Sequence, residues 1–252
     1  MTHTATMVRR NVKHSLRNPN AVVMTIAMPV ILLLLFVGVF GGALRLGVAP
    51  AGEYIDYLVA GILLMTVGYG STTTAMAVNR DMTSGVINRF RTMAVSRSSI
   101  LAGHVVGATA RTLISVCLVV GVALLLGFRP TADPLRWLAL LGLVTLLALA
   151  LTWLGVAVGL VARTPEGTSP FVFVVQVLPF LSSAFVPPDS MTGVVRWFAL
   201  HEPFTPITDT LRGLLLDRPV EDSAPAAVVW CAGLALAGYL ASVTLFRRDP
   251  SN

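Results

Sequence analysis

Charge is what this sequence has least of. Of its 252 residues only 12% are Asp, Glu, Lys or Arg, against about a quarter in an ordinary soluble domain. So few charges cannot keep a globular surface wet, which excludes the amylase-like and Rossmann-like enzyme classes at once. Lysine is reduced to Lys13 alone. No G-x-x-x-x-G-K-[ST] stretch exists, so the chain has no P-loop with which to hold ATP, and any energy from ATP must come through a separate subunit. Cysteine is reduced to Cys117 and Cys231, both inside apolar runs, where they read as small buried hydrophobes and not as a disulfide or metal site. His3, His14, His104 and His201 are scattered, without ligand spacing or evident partners. The chain is therefore expected to bind no metal or cofactor of its own. Basic residues interleaved with stacking aromatics are also missing, so nucleic acid is not an expected partner.

What the chain has is oil. Fifty-five per cent of it is apolar, and the mean hydropathy is +0.80. A helix needs about 20 residues to cross a hydrocarbon core about 30 Å thick. Six runs meet or approach that length: 21–43, 55–78, 100–128, 135–161, 171–186 and 224–246. They show no apolar–polar alternation, so helices and not a β-barrel are expected. Stretches such as "LTWLGVAVGLVA" carry the small residues that let helices approach closely in lipid. The fifth run is the shortest; it contains Pro179 and stops at Pro187 and Pro188. The first run follows Arg9, Arg10, Lys13 and Arg17 as a secretory signal would. Its apolar core exceeds the usual 7–15 residues or so, and no small-x-small cleavage site follows, so it reads as an uncleaved span.

Basic residues set the orientation. With both termini inside, eleven Lys and Arg residues lie on the cytoplasmic side and six outside, with Arg111 left within a span; three acids lie inside and nine outside. The net charge of +6 is thus a topology signal.

Three segments do not fit plain spans. Residues 6–18 place Met7 or Val8, Val12 and Leu16 on one helical face and the basic residues elsewhere, with Pro19 at the end. This is the pattern of an amphipathic helix in the headgroup layer. Between the second and third runs lies "NRDMTSGVINRFRTMAVSRSS". Thr83 or Ser84 is placed to cap a short helix, along which Val86, Ile87, Phe90 and Met93 fall three and four apart, with Asn88, Arg89 and Arg91 facing elsewhere. An apolar stripe flanked by arginines suits either a groove on another protein or the membrane surface. Late in the chain, "FLSSAFVPPDSMTGVVRWFALHEPFTPITDTLRGLLL" predicts two helices, 194–200 and 206–216, too short to span. Proline-bearing breakers bound them, with Trp197 and Phe204 at interface depth. Asp209 and Arg212, three apart, are placed to pair on one face. Arg111 is the one basic residue well inside a span; it either marks a polar site or snorkels to the nearer surface. Asp56 and Glu53, where the second run begins, read as solvated.

These features in this order resemble the membrane subunit of ABC-2 type exporters, nearest to the daunorubicin/doxorubicin resistance permease group of actinobacteria. The resemblance covers nearly the whole chain, and "GVINRFRTMAVSR" with the late proline-bounded stretch are its specific parts. It implies an all-α integral membrane protein: a single domain over 1–252 with six transmembrane helices, an N-terminal connecting helix over 1–19, a coupling-helix loop over 79–99 and a re-entrant outer segment over 187–222. It further implies that Asp81, Gly85, Val86, Asn88, Arg89, Phe90 and Arg91 contact a separate ATP-binding subunit, present in two copies, which uses the ATP and Mg. Many relatives in the wider superfamily carry Glu where Asp81 stands. Pro187, Pro188, Pro203, Asp209 and Arg212 belong to the element that closes the exit. A second permease copy, identical or related, would complete a path for a hydrophobic or amphipathic small molecule. Trp153, Phe171, Phe173, Phe180 and Phe185 would suit such a path. The location implied is the cell membrane.

Three other classes stay open on sequence. An intramembrane protease would use Ser71 in "GYGSTTT" with His104 or His201, but no G-x-S-G motif is present. An ion-coupled transporter would want acidic residues at mid-membrane, and the spans have none. A non-transporting anchor would use the segment before Ile100 equally well. Within the ABC-2 reading, a lipid or glycan is the alternative cargo.

Overall fold

A computed structural model describes residues 19–40, 53–83, 97–162 and 164–248. The expected connecting helix before Pro19, and the segment holding Gly85, Val86, Asn88, Arg89, Phe90 and Arg91, lie outside the described residues. Within them the chain is helical, with no strand. The eight α-helices are α1 (Pro19–Leu35), α2 (Glu53–Thr83), α3 (Arg97–Leu125), α4 (Pro134–Val161), α5 (Ser169–Val177), α6 (Gly193–His201), α7 (Phe204–Leu215) and α8 (Ala224–Arg248). A π-helical turn, Phe36–Phe40, continues α1.

Four helices, within α2, α3, α4 and α8, are long and apolar enough to cross a membrane, and a shorter apolar helix, Ile26–Val39, runs from α1 into the π-helical turn. The four long helices match the second, third, fourth and sixth expected runs, and the shorter one lies within the first. The fifth run differs. It is not one helix over 171–186 but a chain of short pieces: the 3-10 turn Pro165–Thr168, then α5, then the 3-10 turn Leu178–Leu181. Pro179 accounts for the break, because it supplies no N–H to an α-helical ladder and tightens the chain into i→i+3 geometry. The following turn ends at Pro187, which precedes the 3-10 turn Pro188–Ser190.

α2 is the axis. It packs against α1, α3, α4, α5 and α7, and almost every residue from Tyr54 to Ala75 is buried. A helix enclosed on all sides shows no single apolar stripe. Five hydroxyls along its middle need no outside partner. Thr66, Ser71, Thr72, Thr73 and Thr74 each donate to a carbonyl three or four residues back in α2, at 2.7–3.0 Å. Ser71 is thereby engaged with the Gly68 carbonyl, which leaves the protease reading without a free nucleophile.

Lipid offers no hydrophobic drive between helices, so close contact must supply the attachment. Gly155 and Gly159 of α4 supply it against α2. A Cβ on Gly155 would fall 2.7 Å from the Ser71 carbonyl oxygen, and one on Gly159 would fall 2.6 Å from that of Ala75. On the other side of α4, a Cβ on Gly238 of α8 would fall 2.7 Å from the backbone nitrogen of Leu154. α8 presents Val229, Leu236 and Leu240 outward. Cys231 is buried under α8, whereas Cys117 faces outward from α3 and is not the buried residue expected.

Gly159→Leu should push α4 off α2 and cost about 1–3 kcal/mol, as overpacking does. Thermal unfolding in detergent should show a lowered midpoint, with the outward-facing Gly233→Leu unchanged.

Candidate functional site

The break at Pro179 creates a problem that the rest of the protein solves. Residues 182–186 are turn and not helix; past the Ser182 N–H, which donates to the Pro179 carbonyl at 3.3 Å, the helical ladder stops, and such backbone is tolerated at depth only when protein groups satisfy it. Ser182 handles part locally, donating to the Pro179 carbonyl at 2.7 Å and accepting from the Ala184 N–H at 3.1 Å. Ser183 is served from two other helices. Its N–H donates to Thr205 Oγ1 on α7 at 3.0 Å. Its carbonyl accepts from the Tyr57 hydroxyl of α2 at 2.7 Å and from Arg212 Nη2 of α7 at 2.8 Å. The turn lies flat on α2, where Gly61 leaves no Cβ to strike the Ala184 carbonyl oxygen; one would fall 2.6 Å away.

Arg212 is the hub. Only 7% exposed, it donates to Asp209 Oδ1 at 2.8 Å, to the Ser183 carbonyl and to the Tyr57 carbonyl at 3.3 Å. Its guanidinium carbon stands 3.7 Å over the Tyr57 ring. Asp209 also accepts from Ser183 Oγ at 2.7 Å. A buried cation is tolerable when every face meets an acceptor or a ring, and Arg212 has both. The i,i+3 pair expected from the sequence is present, and it holds three elements together.

α7 is clamped at both ends as well. Glu202, buried between α6 and α7, accepts from the backbone N–H groups of Phe204 and Thr205 and so satisfies the first donors of α7. It lies outside the span-length helices, and burial outweighs those bonds to push its carboxyl up to about 7. At the other end Arg136 of α4 donates to the carbonyls of Gly213 and Arg218 at 3.3 and 2.9 Å, and pairs with Asp217 at 2.7 Å. Asp217 takes the left-handed conformation, φ 51°, that ends many helices.

At the far end of α2, Asp81 stands 3.3 Å from His104 Nε2 of α3, joining the two helix ends that flank segment 84–96. His104 therefore has a partner that its isolation in sequence concealed. Thr83 closes α2 itself, its hydroxyl donating to the Asn79 and Arg80 carbonyls; the short helix expected after it lies outside the described residues.

Other expected residues fall apart from these two places. Arg111 is half-buried on α3 and is not among the residues of the Arg212 network. Pro187 and Pro188 shape the turn before α6, and Pro203 precedes α7. Trp197 is exposed, but Phe204 is a core residue and not an interfacial one. Asp56 is half-buried, not solvated. The five aromatics do not converge: Trp153 meets Tyr239, Phe171 is half-buried against the core, Phe173 is exposed, and Phe180 and Phe185 stack in a row with Phe36. Among the described residues no three His, Cys, Asp or Glu side chains gather as a metal site.

Comparison with known proteins agrees with this architecture. The family described as ABC-2 type transporter matches residues 2–216. A daunorubicin resistance ABC transporter permease protein of Streptomyces coeruleorubidus is 29% identical over 223 residues, covering 87% of this chain and 76% of the relative. A probable doxorubicin resistance ABC transporter permease protein of Mycobacterium tuberculosis is 24% identical over 227 residues, covering 90% and 82%.

Arg212→Lys should fail to replace the native residue, since an ammonium cannot serve Asp209, Ser183 and Tyr57 from one plane. It is expected to cost about 1–3 kcal/mol, the range for a buried polar group left unsatisfied, read as a lowered unfolding midpoint and proteolysis within 182–216. Glu202 gives a pH signature. Its folded pKa of about 7 lies above the ordinary 4.5, so the folded state holds the proton more tightly than the unfolded one. Stability should therefore fall as pH rises between those values and stay level above them. Glu202→Gln should flatten that difference in melting curves taken across the range.

Proposed function

Since the chain belongs to the ABC-2 type transporter family, we propose that it is the membrane-spanning permease subunit of an ATP-driven exporter of a hydrophobic or amphipathic small molecule. Two copies of a separate ATP-binding subunit hydrolyse the nucleotide, and a second permease copy, identical or related, completes the path. Residues 1–252 form one domain in the cell membrane with six crossings: α1 with its π-helical end, α2, α3, α4, the pieced element from Pro165 to Leu181, and α8. The pieces of that fifth element have a combined rise of about 30 Å, one hydrocarbon thickness. The excess of basic residues puts both termini and the 79–99 segment in the cytoplasm. Residues 1–19 lie on the membrane as the connecting helix, and 187–222 form the re-entrant outer segment.

The observation that carries this reading is the continuity of α2. Its 31 residues run unbroken from Glu53 to Thr83, a rod about 46 Å long. Tyr57 at one end touches the Arg212 network, and Asp81 at the other faces His104 beside segment 84–96. Closure of the ATP-binding subunits pushes on Gly85, Val86, Asn88, Arg89, Phe90 and Arg91. The rod carries that displacement across the membrane to the turn at Ser183 and the re-entrant helix α7, which opens the exit. Drug-like cargo is supported by the drug resistance for which the relatives are named and by the aromatic row of Phe36, Phe185 and Phe180 beside the turn.

Inverted membrane vesicles holding this chain and its ATP-binding partner should accumulate daunorubicin only with hydrolysable ATP. Phe90→Ala should keep the protein folded while abolishing that accumulation. Uptake driven by an ion gradient without ATP would point to a secondary transporter. ATP-driven movement of lipid or glycan without daunorubicin would reject drug cargo.

A further inference from the structure

Asn79 lies one turn before the end of α2, two residues ahead of Asp81, and is completely buried. Its side-chain amide leaves α2 altogether. Nδ2 donates to the Ala162 carbonyl at the end of α4 and points toward the Gly159 carbonyl at 3.5 Å. The last carbonyls of a helix have no partners within it, and Ala162 already has extended backbone, so α4 ends on a group lent by α2. Gly159 and Val78 are in near contact there: a Cβ on Gly159 would fall 3.0 Å from the Val78 Cβ.

Packing alone does not explain an asparagine at this position. Among the described residues nothing donates to its Oδ1, which is also buried. A half-satisfied amide in a helix contact is costly, and what offsets the cost here is the donor it gives to the Ala162 carbonyl. The residue is suited to joining two helix ends directionally. Beyond the joint, α4 borders an apolar cleft of about 440 Å³ lined by Val158, Val161, Ala162, Gly167 and Leu245. The α4 end is therefore gripped from the α2 side and has open space on the other.

We infer that Asn79 is a positioning residue that makes the end of α4 travel with the end of α2 when segment 84–96 is pushed. This rests on the proposed reading that the ATP-binding subunit engages that segment. Movement received by α2 then reaches α4 through one directional hydrogen bond, and reaches α8 through the Gly238 contact with Trp153 and Leu154. α3 is recruited separately by Asp81 and His104.

The test uses the assembled transporter, with its ATP-binding subunit, in lipid nanodiscs. Cys117 and Cys231 are replaced, and spin labels are placed at Met76 of α2 and Val161 of α4, both exposed. Pulsed electron resonance then measures their separation in the nucleotide-free and Mg-ATP/vanadate-trapped states. In the native background the separation should be the same in both states. In Asn79→Leu and in Asn79→Ser, a smaller polar change that keeps the fold if leucine does not, the trapped state should show a shifted distance distribution. The variants should continue to trap nucleotide. A separation that already shifts in the native protein, or that stays fixed in both variants while nucleotide is trapped, overturns the role of Asn79 alone. A complex that traps no nucleotide overturns the transporter reading beneath it.

Discussion

The structure depends on keeping one long helix enclosed by other helices over most of its length, from Tyr54 to Ala75, where water does not drive association. α2 meets that constraint in two ways. Along its middle, the hydroxyls of Thr66, Ser71, Thr72, Thr73 and Thr74 bond back to its own carbonyls, so they ask for no partner that lipid cannot give. Its neighbours approach to backbone distance through glycine, from α4 at Gly155 and Gly159 and onto α2 itself at Gly61. The result is a rod held by shape, whose two ends are the places where it reaches out with polar side chains.

At the Tyr57 end the chemistry follows from a proline. Pro179 ends a helix too early, and the exposed peptide groups at Ser183 must be satisfied from elsewhere. Tyr57, Thr205 and Arg212 do so, and in doing so they bind α2, the turn and α7 into one unit. Charge in such a place is stable only while complete, so a partial loss should loosen the whole segment and not a single contact. Glu202 and Arg136 hold α7 at its two ends.

Much of this was legible in the residues. The period and length of the apolar runs identify the long helices, and "GVAVG" in α4 names its own contact face. Asp209 and Arg212 declare their pairing by spacing. What could not be read shares a physical cause. Arg212 binds the carbonyls of Ser183 and Tyr57, and Asn79 binds the carbonyl of Ala162; a backbone acceptor leaves no mark on residue identity. His104 finds Asp81 only because α2 and α3 meet at the ends that flank segment 84–96. The fifth run failed as a single helix where its proline said it would, but the 3-10 turns that extend it need tertiary contacts to be chosen. The aromatics were grouped by type in sequence and are dispersed in space, because helical phase and not composition decides which way a ring points.

The central claim is mechanical: a push on segment 84–96 is felt at Ser183. Hydrogen exchange of residues 182–216 in the assembled transporter, compared between nucleotide-free and vanadate-trapped states, tests it most directly. The account predicts faster exchange across the turn and α7 on trapping, although the nucleotide sits on the opposite side of the membrane. Identical exchange in the two states, with nucleotide demonstrably trapped, would contradict it.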